Sequence, residues 1–231
     1  MKKVVVLTGA GISAESGIKT FRDADGLWEG HDVMSVASPE GWERDMALVL
    51  DFYNQRRKQL KEVTPNAGHN ALVDLEKKYE VVVITQNVDN LHEQAGSARI
   101  IHLHGELNKV RSTEVPDLIY EWNDDLHIGD HCERGYQLRP HIVWFGEMVP
   151  MLESAISECE NGDIFIIIGT SMQVYPAASL ISYAPRGSEI YYIDPKPHIS
   201  YELSRLPGLQ VIKQTGSIGV PSVVYELLDR R

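Results

Sequence analysis

Four short runs, Val4 to Leu7, Val81 to Ile84, Ile164 to Ile168 and Ile190 to Ile193, are apolar at every position and rich in β-branched residues. A strand with one face in water alternates polar and apolar residues. An uninterrupted run needs cover on both faces, as in a parallel sheet held between two helical layers. Arg99 to Leu103 and Leu209 to Ile212 are weaker candidates for two further strands. Helical stretches with recognisable starts lie between the runs. Ser38 before Pro39 reads as an N-cap with proline at the first helical position and opens a helix to about Lys61. Thr64-Pro65 repeats the signal for a second helix to about Lys78, and both stretches are long enough to cross over between parallel strands. Further helices are expected from Met151 to Cys159, ended by Asn161-Gly162, from Pro176 to before Pro185, and from Pro221 through Leu228. The alternation predicts one α/β domain over residues 1–231, built on a doubly wound, Rossmann-like parallel sheet. Residues 107–139 break the rhythm, with scattered charge, one apolar-aromatic run (Leu118, Ile119, Tyr120, Trp122) and no helical period. They read as a small inserted strand-and-loop module.

Charge and length narrow the class of partner. With 22 basic against 33 acidic side chains and a net charge of −11, a sequence-independent grip on phosphate backbones is excluded, so no nucleic-acid partner is expected. No apolar run approaches the roughly 20 residues that span a bilayer, so no membrane partner is expected either. The apolar stretch behind Met1-Lys2-Lys3 stops at Leu7, too short for the core of a signal peptide. Two cysteines, Cys132 and Cys159, build no disulfide framework and fit a reducing compartment. A cytoplasmic location is expected.

Three polar clusters sit where strands end. Gly9-Ala10-Gly11-Ile12-Ser13-Ala14 follows the first strand and fits the G-x-G-x-x-G/A pattern, in which glycines let the backbone approach a pyrophosphate. A dehydrogenase would continue into a helix, a second strand and an acid for the ribose. This chain enters instead the polar, glycine-broken stretch Ser16 to Trp28, a loop able to close over a ligand. Thr85-Gln86-Asn87-Val88-Asp89-Asn90 and Gly169-Thr170-Ser171 follow two other strands, at the edge where open α/β sheets bind ligands. Each of these is also a capable helix cap, but three such ends in one sheet favour a cofactor crevice. In His102-Leu103-His104-Gly105-Glu106, alternation along a strand puts both histidines on one face. Such a pair suits metal binding or general-base work, and the absence of a carboxylate-histidine zinc pattern favours the base.

Gly9-Ala10-Gly11-Ile12-Ser13, Gly17-Ile18 with Phe21-Arg22, Thr85-Gln86-Asn87-Val88-Asp89, His102-Leu103-His104-Gly105, Trp144-Phe145-Gly146-Glu147 and Gly169-Thr170-Ser171 occur in this order. Together they resemble the sirtuins, NAD-dependent protein lysine deacylases, from Val4 to about Leu228. The resemblance implies NAD as cofactor and acylated lysine side chains, presented on an extended peptide, as partner. It implies attack of the acyl oxygen on C1′ of the nicotinamide ribose with loss of nicotinamide, then transfer of the acyl group to a ribose hydroxyl activated by His104. The base role suits an imidazole, whose unperturbed pKa lies near operating pH.

The other implied roles follow residue by residue. Asn87 positions the ribose and reacting water, Asp89 holds the nicotinamide carboxamide and Gln86 contacts the ribose. Phe21 shields the reacting centre and Arg22 orders the cofactor loop. Gly9, Ala10, Gly11, Thr170 and Ser171 line the phosphates and adjoining ribose, with Trp28, Val88 and Gly169 in the same cofactor set. Asp194 stands where the family usually offers asparagine to the adenosine half. Val143, Phe145, Gly146 and Glu147 lie in the segment that pairs with substrate as an added strand, although Trp144 and Phe145 also suit plain core packing.

Tyr53 and Arg56, at i and i+3, share a helix face. Taken alone they read as a half-buried phenol and a solvated guanidinium. The Tyr-x-x-Arg pair resembles the class III sirtuins, and this implies a carboxylate grip for succinyl or malonyl groups alongside deacetylation. The family's small domain usually carries two C-x-x-C zinc pairs, but Ser112 stands where the first cysteine is expected and only Cys132 remains. His127, Asp130 and His131 run directly into Cys132 and poorly suit a tetrahedral site, so structural zinc is expected to be absent. Two competing readings are an NAD-dependent ADP-ribosyltransferase, disfavoured by retention of Asn87 and His104, and a catalytically silent NAD-binding module.

Overall fold

The computed structural model describes residues 1–19 and 27–230. Strand β1 (Lys3–Thr8) leads into two 3-10 turns, Ala10–Ile12 and Ala14–Ser16. The short strands β2 (Leu27–Trp28) and β3 (His31–Asp32) precede α1 (Val33–Val36), α2 (Pro39–Arg44), α3 (Met46–Leu60) and α4 (Ala67–Leu75). Next come β4 (Glu80–Thr85), α5 (Leu91–Ala95) and β5 (Ile100–His102). Then β6 (Gly105–Ser112), β7 (Ile119–Glu121) and β8 (Leu138–Ile142) form a separate antiparallel sheet, with β6 in the middle. The chain ends with α6 (Leu152–Glu160), β9 (Ile164–Ile168), a 3-10 segment (Ala177–Tyr183), β10 (Glu189–Ile193), α7 (Tyr201–Ser204), β11 (Leu209–Ile212) and α8 (Gly216–Asp229).

All four continuous apolar runs, and both weaker ones, are strands of one parallel sheet in the order β5-β4-β1-β9-β10-β11. This is the doubly wound dinucleotide-binding order. Strand β1 pairs with β4 from Lys3↔Glu80 to Thr8↔Thr85, and with β9 from Val4↔Ile164 to Thr8↔Ile168. The crossovers diverge at β1 and β9, which opens a crevice at the carboxyl ends of these two strands. Odd and even residues of each strand serve different cores. Val4, Val6, Val81, Val83, Ile164 and Ile166 pack with Leu72 of α4 and Val223 of α8, while Val5, Leu7, Val82, Ile84, Phe165 and Ile167 pack with Ala155 of α6 and Leu180. Among the described residues no helix is long and apolar enough to cross a membrane.

The expected helices need correction in four places. Ser38 does cap a helix, its Oγ accepting the Gly41 N–H at 2.9 Å, but that helix stops at Arg44. Asp45, extended at φ −151° and ψ 78°, breaks the run and caps α3 by accepting the Leu48 N–H. Nor does this stretch cross over the parallel sheet. Leu50, Phe52 and Tyr53 of α3 join Leu107, Val110, Leu138 and Ile142 of the antiparallel sheet in a third core. Buried Arg57 fastens that join by donating to the Leu107 and Asp124 carbonyls and to Asn54 Oδ1. The first crossover therefore falls to α4, which starts at Ala67 because Asn66, not Thr64, is its cap.

Residues 177–183 form a 3-10 segment instead of an α-helix. Helix α8 starts at Gly216, before Pro221, because the Glu15 carboxylate accepts the Ser217 N–H at 2.9 Å from across the fold.

Two buried imidazoles set an acid limit on this fold. His69 lies in α4 with Nδ1 accepting the Asn66 N–H, and its Nε2 has no partner. His92 lies 4.9 Å away, ring to ring, its Nε2 against the Thr8 hydroxyl. Burial pulls His69 down to about 4 from 6.5 and pulls His92 down as well. The unfolded chain takes these protons near pH 6.5 and the folded chain does not. The stability is therefore complete above that value and is lost as pH falls from 6.5 toward 4, by roughly 3 kcal/mol for His69. Urea midpoints compared at about pH 7.5 and about pH 4.5 should show this loss. His69→Gln, which keeps an acceptor for the Asn66 N–H, should flatten the dependence, and an undiminished fall in that variant would contradict the assignment.

Candidate active site

The floor of the crevice is backbone on backbone. Gly9 N donates to Ile168 O at 3.0 Å and Gly11 N to Gly169 O at 2.8 Å. A Cβ on Gly11 would stand 2.5 Å from Gly169 Cα, and one on Gly9 would stand 2.8 Å from Gly169 O. Gly169 itself sits at φ +58°. The glycines singled out for access to a pyrophosphate are thus also required by each other, at the point where the crossovers diverge. Ala10 occupies the first 3-10 turn beside them, and Thr170 and half-buried Ser171 follow Gly169. Thr170 Oγ1 accepts from Gln86 Nε2 at 3.0 Å, which ties the end of β9 to the end of β4. At the end of β10, Asp194 is buried and its carboxylate accepts the Lys196 N–H at 2.8 Å.

Ser13 joins the two residues expected to hold nicotinamide and ribose. Fully buried, it donates to Asp89 Oδ2 at 2.9 Å and accepts from Asn87 Nδ2 at 3.2 Å. Asn87 Nδ2 also reaches the Gly9 carbonyl at 3.2 Å. Burial pushes the Asp89 carboxyl up, against the Leu91 N–H and Ser13 hydroxyl that pull it down. In the sequence Ser13 stands out only as part of the glycine motif. Its signal is position, since a hydroxyl two residues after the second glycine faces back onto the neighbouring strand end.

His102 and His104 both hang on the loop after β4. His104 Nδ1 lies 3.1 Å from the Gln86 carbonyl, and His102 Nδ1 lies 3.4 Å from the Asn87 carbonyl. A carbonyl only accepts, so His104 carries its proton on Nδ1 and presents Nε2 as a lone pair. Burial lowers the His104 pKa, outweighing the Gln86 carbonyl, so the ring is neutral near pH 7. His102 goes the opposite way. Burial would lower it, but the Glu93 carboxylate at Nε2 raises it above the ordinary histidine value. Glu93, His102 and Glu106 are the one group of three potential metal ligands among the described residues, with donor atoms within 4.8 Å of one another. Lys109 ion-pairs with Glu106 there at 2.8 Å.

On α3, Arg56 shares a pocket with Trp28, Val88, Asp89 and Leu107, so one cleft touches both the β4 loop and α3. Arg56 forms no ion pair among the described residues, and its buried Nε has no hydrogen-bond partner. Its neighbour Tyr53 is fully buried, with Trp28 edge-on at 6.0 Å and the Trp144 indole N–H donating to its oxygen at 3.0 Å. In the segment expected to pair with substrate, Val143 N donates to His104 O, Phe145 N to Ala37 O and Trp144 N to Glu147 Oε2. The Val143 carbonyl and the Gly146 N–H, at φ +90°, make no hydrogen bond among the described residues. Glu147 is held below the usual carboxylate range: burial alone would raise it, but Arg139 and Arg111 outweigh that. Phe21 and Arg22 lie outside the described residues.

At the position where the resemblance would put zinc, Cys132 Sγ donates to Ser112 Oγ at 3.5 Å. Both side chains are buried, and the same hydroxyl accepts the N–H groups of Glu114 and Val115. The Asp130 carboxylate accepts the His127 N–H at 2.7 Å, and His131 bridges to Gln137.

A doubly wound sheet with polar strand ends converging on one crevice, and a neutral imidazole at its edge, defines a dinucleotide-dependent enzyme of group-transfer type. A family model described as the Sir2 family matches residues 9–176, and the chain belongs to that family. A Helicobacter pylori protein named NAD-dependent protein deacylase is 65% identical over 196 residues, covering 85% of this chain and 86% of that one. A Bacteroides thetaiotaomicron protein of the same name is 57% identical over 234 residues, covering 99% of each chain. Among solved structures, a Sir2 homologue in complex with NAD has a TM-score of 0.87 at 38% identity and covers 98% of this chain and 90% of that one. A Sir2 structure bound to an acetylated peptide has a TM-score of 0.80 at 27% identity, covering 99% and 94%.

Proposed function

We propose that this chain uses NAD to remove acyl groups from protein lysine side chains, with His104 as general base, and that it takes carboxylate-ended acyl groups such as succinyl and malonyl as well as acetyl. The observation that carries the reading is the neutral His104, its Nδ1 proton committed to Gln86, beside the Ser13-Asn87-Asp89 cluster in the crevice. The residues present fit a dinucleotide: glycine backbones at two strand ends, a buried amide and carboxyl beyond them, and Asp194 at the end of a third strand. When bound, NAD supplies a ribose carbon whose nicotinamide is a leaving group.

The rest falls to side chains of this protein. Asp89 and Asn87, locked by Ser13, hold the nicotinamide amide and the ribose. Gln86, Thr170 and Ser171 contact the adjoining ribose and phosphates, and Asp194 accepts from the adenosine ribose. His104 Nε2 withdraws a proton from a ribose hydroxyl and so makes it the acyl acceptor. Val143 and Gly146 pair with the peptide main chain, which leaves sequence preference loose. Arg56, which lines the shared cleft and has an orphan donor at Nε, supports the carboxylate-ended acyl group, since a forked guanidinium binds carboxylate through paired bonds. One thiol and one hydroxyl do not make a tetrahedral zinc set, so we read the antiparallel module as zinc-free. The two free, buried cysteines suit a reducing compartment such as the cytoplasm.

The test is one lysine peptide, carrying acetyl or succinyl, incubated with and without NAD and followed by mass spectrometry. The expected outcome is NAD-dependent loss of both groups with matching nicotinamide release. Transfer of ADP-ribose to protein without acyl loss would replace the deacylase reading with the transferase one, and NAD binding without nicotinamide release would leave a binding module.

A further inference from the structure

Trp144 stands where three groups meet. Its indole N–H donates to the Tyr53 phenolic oxygen at 3.0 Å, and its backbone N–H donates to Glu147 at 2.8 Å. The Arg139 guanidinium lies 3.3 Å from its ring centroid. Arg139 grips Glu147 through two bonds of 2.7 and 3.1 Å, and Arg111 adds a third at 3.1 Å, so the cation above the indole is fixed by a shared carboxylate. Trp42 packs against the same ring at 5.7 Å. Trp144 is only 2% exposed.

The hydroxyl that receives this bond is unusual. Tyr53 is fully buried, the indole takes one of its lone pairs, and its own proton meets no acceptor among the described residues. A buried donor without an acceptor is costly, so the phenol is arranged for a partner that the fold alone does not supply. Trp28 shows where that partner would come from. It packs edge-on against Tyr53 and lines the cleft that Arg56, with its unpartnered Nε, also lines, so one ring joins the phenol to that cleft. Burial also pushes the Tyr53 phenol up, keeping it a proton donor throughout the working pH range.

We propose that Trp144 is a positioning residue for acyl-group selectivity: by occupying the acceptor side of Tyr53, its indole N–H aims the phenolic proton at the far end of the acyl group, where it joins Arg56 in holding a carboxylate. The inference rests on the carboxylate-ended reading above and adds to it the residue that sets the direction of the phenol. A bond received from the indole also polarises the phenol and makes it a stronger donor. Because Trp144 lies in the turn that docks the peptide main chain, one side chain ties the register of the peptide to recognition of its acyl end.

The test compares kcat and KM on acetyl and succinyl forms of one peptide for the native chain, Trp144→Phe, Tyr53→Phe and the double variant. Trp144→Phe should lower the succinyl-over-acetyl ratio of kcat/KM about tenfold, through KM for the succinyl peptide. The double variant should be no less selective than Tyr53→Phe, as two groups acting through one bond are not additive. Benzothienylalanine at position 144 keeps the indole outline and replaces N–H by sulfur. It should reproduce the loss, and it decides the matter if Trp144→Phe does not fold. Equal losses on both peptides, or additive losses in the double variant, would reduce Trp144 to a packing residue and leave the carboxylate reading standing. A native chain with no activity on the succinyl peptide would overturn both.

Discussion

His104→Ala is expected to lower deacylation by about 10²–10⁴-fold, the range that a positioned general base contributes, while NAD still protects the variant against thermal unfolding. The separation follows from the placement of the ring. The cofactor contacts proposed above come from Ser13, Asn87, Asp89 and the glycine ends, none of which depends on the imidazole. Among the described residues the His104 ring hydrogen-bonds to the β4 loop through the Gln86 carbonyl alone. The pH profile carries the same assignment. Burial lowers the His104 pKa, and the neutral ring is the active form, so the acid limb of kcat/KM, where Nε2 takes a proton, should be centred below the ordinary histidine value. An acid limb centred at or above 6.5 would point to His102, whose pKa is raised, and the variant His104→Ala would then keep most of its rate.

Arg56→Met should reduce the succinyl-over-acetyl ratio of kcat/KM by roughly 100-fold, since two charge-assisted bonds to a carboxylate are lost together. Arg56→Lys should recover only a small part, because an ammonium keeps the charge and loses the fork. The native guanidinium is poised for this role. Burial lowers its pKa against the opposing effect of Glu29 and Asp51, no ion pair among the described residues quenches it, and the cleft it lines reaches Asp89. A ratio unchanged in Arg56→Met would remove the arginine from recognition of the acyl group.

The contrast between Arg56 and Arg57 marks where sequence reading stops. Adjacent and chemically identical, one is left without a partner at Nε and the other is tied to the carbonyls of Leu107 and Asp124. Those acceptors lie 50 and 67 residues away, beyond any local pattern. The same limit hid the pairing of Tyr53 with Trp144, the cap that Glu15 places on α8, and the joint hold of Ser13 on Asn87 and Asp89. What was legible is what short-range physics dictates. Runs apolar on both faces could only be covered strands, and glycine, asparagine and threonine at their ends could only be turns or binding edges. Helix α3 misled because its apolar face states that something covers it and does not state what.

The third core has a consequence for how this protein can change. Helix α3, with Tyr53, and the antiparallel strands β6 and β8, with Trp144 just beyond them, are packed into one unit around Leu107, Val110 and Ile142. His104 follows β5, and the glycine ends follow β1 and β9, strands of the parallel sheet with its own two cores. Reaction and selectivity therefore rest on separate hydrophobic foundations, joined along the β4 loop. A graft that carries residues 28–60 and 105–147 together into a relative should transplant acyl preference, whereas either piece alone would arrive without the surface that shapes it.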